Sequence, residues 1–166
     1  MPLQILIVED HGDTRRILAG LLGHFGHSIS AADSLESAKA FIKAKRFDAV
    51  VSDLGLPDGS GYDVIRHAKR RQQLTGVALT AWGEPNDIER GRQAGFDYHL
   101  TKPVDCAALR EVLDRISDGI QPGTVAPEIS TARSSFTKAS RNEDSASTQV
   151  EGNIIQLHLP HHRQRR

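Results

Sequence analysis

Cysteine is all but missing from this chain: Cys106 stands alone among 166 residues, which excludes an internal disulfide. Missing too is any apolar run near the roughly 20 residues that a membrane-spanning helix needs. The N-terminal Met1-Pro2-Leu3-Gln4-Ile5 has no basic stretch leading into a signal-type apolar segment, so export is not expected. Neither sign of charge prevails, with 21 basic against 21 acidic side chains, and the total does not point to nucleic acid or an anionic membrane as the main partner. A soluble cytoplasmic protein is the expectation. At 38% hydrophobic content, the chain is long enough for one domain with a real core and too short for two of typical size.

Up to about Gly119, short apolar runs alternate with amphipathic stretches, the pattern of repeated strand-helix units around a parallel sheet. The strands are predicted at Leu3 to Val8, Ser28 to Ala32, Ala49 to Ser52, Val77 to Thr80 and Tyr98 to Leu100. The first, third and fourth are continuously apolar, as strands covered by helices on both faces must be. The second and fifth are more polar or shorter and suit the edges. This predicts a doubly wound, flavodoxin-like α/β fold with five parallel strands in the order 2-1-3-4-5. Ile17, Leu18, Leu21, Leu22 and Phe25 form one helical stripe, and Leu35, Ala38, Phe41 and Ile42 another. A third comprises Ala108, Leu109, Val112, Leu113 and Ile116, with Asp105 placed to cap its helix and Gly119 to end it. Gly55, Pro57, Gly59 and Gly61 crowd the connection after the third strand, so the backbone there turns sharply and is expected to approach a ligand. Beyond Ile120 the composition turns to Ser, Thr, Ala, Pro, Asn and Gln, with Phe136 the only aromatic. Residues 1–119 are therefore expected to form the domain and 120–166 a disordered polar tail. The run Asn153 to Leu159 allows one short helix or strand, marginal by itself in water.

In an open parallel sheet, ligands bind beyond the carboxyl ends of the strands, where the strand order reverses. Here that crevice lies between strands one and three, which end in Glu9-Asp10 and Asp53; Thr80 ends strand four and Lys102 follows strand five. Three carboxylates within about 4 Å of one another repel by roughly 4 kcal/mol per pair at an effective dielectric near 20. Such a cluster must protonate, pair with cations or bind a metal. Lys102 offers one cation only, so a hard divalent ion is the natural complement, and Mg²⁺ fits best.

These residues give the chain a resemblance to a known family. Glu9-Asp10, the Asp53-x-x-x-Pro57-x-x-x-Gly61 spacing, Thr80-Ala81 and Lys102-Pro103, in this order and at these strand ends, resemble the receiver domain of two-component response regulators, over residues 3 to about 119. The resemblance implies that Asp53 takes a phosphoryl group from a phosphohistidine on a sensor histidine kinase or phosphotransfer protein. It implies Mg²⁺ held by Asp10, Asp53 and the backbone carbonyl of Gly55, with Glu9 acting partly through water. Lys102 and Thr80 would each contact a phosphoryl oxygen, and the Lys102–Pro103 bond would be cis. No enzymatic turnover beyond self-phosphorylation from a donor and autodephosphorylation is implied. Output would pass through protein contacts on a face around Asp87 to Gln93, Tyr98, and Ala107 to Arg110, since no DNA-binding helix-turn-helix follows the domain. The stretch from Gly95 to Asp105 looks like receivers of hybrid sensor kinases, so a stand-alone regulator and a hybrid-kinase receiver both stay open.

The chain departs from the family at His99, where Tyr or Phe is common and turns inward when the threonine hydroxyl moves to the phosphoryl group. Two roles stay open for His99: a switch biased by its own protonation, or an exposed edge-strand side chain without a role. Gly55 and Trp82 occupy positions that govern water access to the acyl phosphate in receivers, and their effects oppose. Asp13 reads as a helix cap and Asp58 as a loop residue. Cys106 reads as a small buried helix residue. His158, His161 and His162 are weak metal-ligand candidates. A phosphohydrolase of the haloacid dehalogenase type would need a carboxylate where Gly55 stands. A flavodoxin-like cofactor binder is disfavoured by Glu9-Asp10 in a loop that would face phosphate. A phosphorylation-independent protein-binding module of the same fold is the remaining alternative.

Overall fold

Each predicted apolar run becomes a strand in the computed structural model, which describes residues 1–81 and 85–119, without the side chain of Pro85. In chain order the elements are β1 (Gln4–Val8), α1 (Gly12–His24), β2 (Ser28–Ala32), α2 (Leu35–Ala44), β3 (Ala49–Asp53), β4 (Gly55–Leu56), β5 (Gly59–Ser60), α3 (Gly61–Lys69), β6 (Thr75–Thr80), α4 (Pro85–Ala94), β7 (Tyr98–Thr101) and α5 (Cys106–Ser117). The main sheet is parallel throughout, in the order β2-β1-β3-β6-β7, which is the expected 2-1-3-4-5 once the short β4–β5 ribbon is set aside. That antiparallel ribbon, with Gly55 opposite Ser60, is where the glycine-rich turn was expected.

The side-chain alternation of each strand divides the core in two. Ile5 and Ile7 of β1 point to one face, where they meet Leu18 and Leu22 of α1 and Leu109, Val112 and Leu113 of α5. Leu6 and Val8 point to the other, against Ala38 and Ile42 of α2 and Val64, Ile65 and Ala68 of α3. Both faces of the central strands are thus covered, which is why β1, β3 and β6 are almost wholly apolar.

Caps set where the helices begin. The Ser34 hydroxyl accepts from the Ser37 amide, while the Asp58 carboxylate reaches across from the ribbon to accept from the amides of Leu35 (2.7 Å) and Glu36 (2.9 Å). Asp58 is therefore more than a loop residue: it ties the β4–β5 ribbon to the start of α2. Asp105 caps α5 as expected, accepting from the amides of Ala107 and Ala108, and Gly119 ends that region with φ +69°.

Four expectations need correction. Asp13 does not cap α1; the N-cap is His11, without a side-chain bond, and Asp13 sits in the first turn paired with Arg16. Ile17, assigned to the apolar stripe, is 44% exposed, because the stripe that faces the sheet is centred on Leu18 and Leu22. Cys106 opens α5 and is half-buried, since the first residue of a helix has no preceding turn to shield it. Tyr98, placed on the output face, is buried in the core shared with α5. No helix among the described residues is long and apolar enough to cross a membrane. The tail over 120–166, Trp82, Asn153 to Leu159, and His158, His161 and His162 lie outside the described residues.

Candidate functional site

Register places the acids side by side. Val8 of β1 pairs with Ser52 of β3, so Glu9 and Asp53 follow at the same level, and Asp53 pairs in turn with Leu79, the residue before Thr80. Thr80 pairs with Thr101 of β7, which leaves Lys102 one residue beyond the sheet. Four neighbouring strands thus deliver Glu9-Asp10, Asp53, Thr80 and Lys102 to one rim.

Local contacts hold that rim in shape. The Arg15 guanidinium donates to the carbonyls of Glu9 (2.7 Å) and Asp10 (3.1 Å), tying the first turn of α1 to the acidic pair. The Ser52 hydroxyl donates to the Asp53 carbonyl at 2.8 Å. A Cβ on Gly61 would lie 2.2 Å from that same carbonyl oxygen, so only glycine lets α3 start directly beneath Asp53. The glycine-rich connection does make a close approach, but what Gly61 approaches is the chain itself. Arg15 and Ser52 were missed: nothing in the sequence separates Arg15 from Arg16, and a serine in an apolar strand carries no signal of its bond.

Lys102 is the hub of the site. Its Nζ donates to Glu9 Oε2 at 2.8 Å and to Asp53 Oδ2 at 2.7 Å. Burial pulls the ammonium pKa down, but the hydrogen bonds and charges of Asp53 and Glu9 outweigh it and hold the value above the ordinary range. Glu9 is 1% exposed, and burial pushes its carboxyl up despite the bond and charge of Lys102 and a bond from the His11 amide. Carboxylate oxygens of Glu9, Asp10 and Asp53 all lie within 4.8 Å of one another. One ammonium against three carboxylates leaves an excess of negative charge. The oxygen-only donor set, with Asp10 exposed and Asp53 half-buried, fits a hard divalent cation such as Mg²⁺ approached from solvent.

The remaining predicted residues fall around this hub. Thr80 is buried, and its carbonyl accepts from the Lys102 amide at 2.7 Å. The Lys102–Pro103 bond is cis. Gly55 is exposed, with its amide donating to Asp53 Oδ1 at 3.3 Å, so it borders the acids as expected. His99 is half-buried and turned inward, packed edge-on against Phe96 with centroids 6.0 Å apart. Its Nε2 is buried and has no hydrogen-bond partner among the described residues, and burial holds the imidazole pKa below the ordinary value. It sits in a notch of α4, where a Cβ on Gly91 would come 2.0 Å from Nε2. His99 is therefore not the exposed side chain that one of its two readings expected.

The comparisons with known proteins agree with this geometry. Residues 5–114 match the family described as the response regulator receiver domain. The chain is 37% identical over 110 residues to the response regulator protein PilR of Pseudomonas aeruginosa, covering 65% of this chain and 24% of that one. It is 32% identical over 118 residues to chemotaxis protein CheY-3 of Vibrio cholerae, covering 69% of this chain and 91% of that one. Among solved structures, a two-component response regulator from Clostridium difficile superposes with a TM-score of 0.67 at 26% identity, over 69% of this chain and 95% of that one. The chain thus spans about a quarter of PilR and nearly all of CheY-3. A parallel sheet of this order, acids and lysine gathered at its carboxyl rim, and a match running through every one of those strands lead to one assignment: the chain belongs to the response regulator receiver domain family.

Proposed function

We propose that residues 1–119 work as a phosphorelay receiver in which Asp53 is the phosphoryl acceptor. The observation that carries the reading is the convergence of Glu9, Asp10 and Asp53 around a lysine that already contacts Asp53 at 2.7 Å. A carboxylate oxygen of Asp53 attacks phosphorus of a phosphohistidine on a sensor histidine kinase or phosphotransfer protein; the P–N bond breaks, the imidazole leaves, and an aspartyl phosphate forms. Lys102 orients Asp53 before transfer and afterwards pairs with a phosphoryl oxygen, while Thr80 supplies a hydroxyl to another. Glu9, Asp10, Asp53 and the Gly55 carbonyl would hold Mg²⁺, which supplies charge neutralisation for the phosphoryl oxygens. Glu9 acts partly through water in this scheme, because its carboxylate is committed to Lys102.

Signalling then follows through protein contacts of the phosphorylated domain in the cytoplasm, without turnover of a separate substrate. His99 belongs to this reading as the inward residue of β7, a neutral imidazole whose seat against Gly91 favours one arrangement of β7 and α4. The test is incubation with acetyl phosphate and Mg²⁺, followed by intact-mass measurement. A gain of one phosphoryl group that vanishes in Asp53→Asn and in excess chelator is expected. A folded protein that gains no phosphoryl group, or gains it equally in Asp53→Asn, would refute the assignment and favour the phosphorylation-independent module.

A further inference from the structure

The end of the sheet opposite Asp53 carries a second concentration of charge, of the other sign. Helices α2 and α3 finish side by side there, one in Lys43-Ala44-Lys45-Arg46 and the other in Lys69-Arg70-Arg71. Between them lies a cavity of about 330 Å³ walled by Lys43, Lys45, Arg46 and Arg71, with Gln72 at its base. None of those four cations has an ion-pair partner among the described residues. Lys45 makes only a 3.4 Å bond to the Ser30 hydroxyl and lies 5.9 Å from the Phe41 ring centroid; Arg46 donates to the Arg71 carbonyl at 3.3 Å. Asp48, two residues beyond Arg46, is occupied by the Gln4 amide at 2.7 Å.

The base of the cavity is a fixed structure. Gln72 is buried; its Nε2 donates to the carbonyls of Ile42 (2.8 Å) and Lys45 (2.6 Å), and its Oε1 accepts from the Phe47 amide at 2.9 Å. These bonds lock the end of α2 to the end of α3 and hold the two basic segments at a constant separation. Cations near helix C-termini offset the helix dipole, but that effect is confined to the last turn and is satisfied by one or two charges. Here the charge exceeds that need. His67, on the neighbouring turn of α3, has its pKa lowered by burial and further by Arg71, Lys39 and Arg70.

The geometry points to this cavity as a binding site for a small soluble ligand carrying two or more adjoining phosphate groups. Its volume lies at the lower end of the roughly 300–1,000 Å³ typical of small-molecule sites. Two guanidiniums present planar forks suited to phosphate oxygens, with two ammoniums beside them. Among the described residues the walls hold no aromatic side chain for base stacking, which argues against single-stranded nucleic acid. Their one sizeable apolar residue, Ile42, is already buried, which argues against an acidic peptide with an apolar anchor.

The test is calorimetric titration of the full chain with tripolyphosphate in chelator, so that the acidic site takes no part. Saturable binding is expected, weakened at least tenfold in the Lys43→Ala/Arg46→Ala double variant and in Arg71→Ala. It should be unchanged in Arg16→Ala on α1 and in Asp53→Asn, and should weaken as salt is raised. All these substitutions except Asp53→Asn are at exposed side chains, and circular dichroism of each variant checks the fold. No binding, equal binding by the double variant, or tighter binding of a short DNA duplex at equal phosphate concentration would overturn the proposal.

Discussion

Replacing Lys102 by methionine removes the one cation that, among the described residues, is ion-paired with Glu9 and Asp53, while keeping most of the side-chain volume, so its cost measures the electrostatics of the site directly. At an effective dielectric near 20, unit charges 2.8 Å apart attract by about 6 kcal/mol, a gross figure from which desolvation of the lysine must be taken. Loss of one partner from a buried pair typically costs about 3–5 kcal/mol. The variant has an escape, because Glu9 can take up a proton. That escape costs about 1.4 kcal/mol for each pH unit above the ordinary glutamate value of 4.5, and so limits the Glu9 contribution to about 4 kcal/mol at pH 7.5 and about 0.7 kcal/mol at pH 5. The sign follows from the direction of the shift: a carboxyl with a raised folded pKa adds stability below its unfolded value and loses it as pH rises through the folded one. Lys102→Met removes two influences that lower the Glu9 pKa, which extends that loss to higher pH. We expect a destabilisation of about 3 kcal/mol at pH 7.5 falling to about 1 kcal/mol at pH 5, read by urea unfolding in chelator. With a slope near 1.5 kcal/mol per molar, the midpoint should drop by roughly 2 M at the higher pH. Equal losses at both pH values, or a larger loss in acid, would refute the view that Lys102 compensates a buried carboxylate.

Gly91→Ala should destabilise by about 1–3 kcal/mol, because the new methyl would meet His99 Nε2 at 2.0 Å. Helix propensity alone predicts a gain of up to about 1 kcal/mol, as Gly20→Ala on α1, with nothing within 4 Å of its Cβ, should show in the same urea assay. His99→Phe should flatten the pH dependence of stability between pH 5 and 7. A histidine with a depressed folded pKa contributes stability present above 6.5 and lost as pH falls through the folded value. His27 and His67 shift in the same direction and remain in both proteins, so the difference between the two profiles belongs to His99. Gly61→Ala should cost more than about 2 kcal/mol and slow labelling by acetyl phosphate, because a Cβ 2.2 Å from the Asp53 carbonyl forces β3 or α3 to shift; unchanged stability and labelling would show that the close approach is readily relieved.

The sheet was legible because each strand carries its own signature. Burial on both faces makes the middle residues of β1, β3 and β6 apolar, with polar residues mostly at the strand ends, and edge exposure leaves Ser28 and Ser30 in β2. The acid and lysine positions followed from strand ends alone. Side-chain direction was less legible. Ile17 and Leu18 are equally apolar, and a rotation of 100° about α1 decides which faces the sheet; β7 likewise buries Tyr98 against α5 while Thr101 stays exposed. Arg15 and Asp58 illustrate a different obstacle. Both act on backbone groups, across 6 residues for Arg15 and 23 for Asp58, and backbone acceptors and donors leave no trace in residue identity.

The inward, half-buried position of His99 bears on how, under the proposed function, a charge placed at Asp53 would reach the outer helices. Asp53 and Glu9 hold β7 through Lys102, and the amide of Lys102 is bonded to the Thr80 carbonyl at the end of β6. Three residues back along β7, His99 fills the notch left by Gly91 of α4. Any movement of Lys102 toward a new anion on Asp53 would therefore act on a strand that is wedged against α4 by a side chain whose Nε2 has no hydrogen-bond partner among the described residues. Leaving such a seat breaks no polar bond at Nε2 and exposes an imidazole that water can solvate, whereas a tyrosine in the same place would have had to carry its hydroxyl past the Gly91 backbone. Under the proposed function, an outward state of His99 would be disfavoured mainly by lost packing against Phe96 and Gly91, a term on the order of 1 kcal/mol, which a phosphoryl group contacting Lys102 would offset.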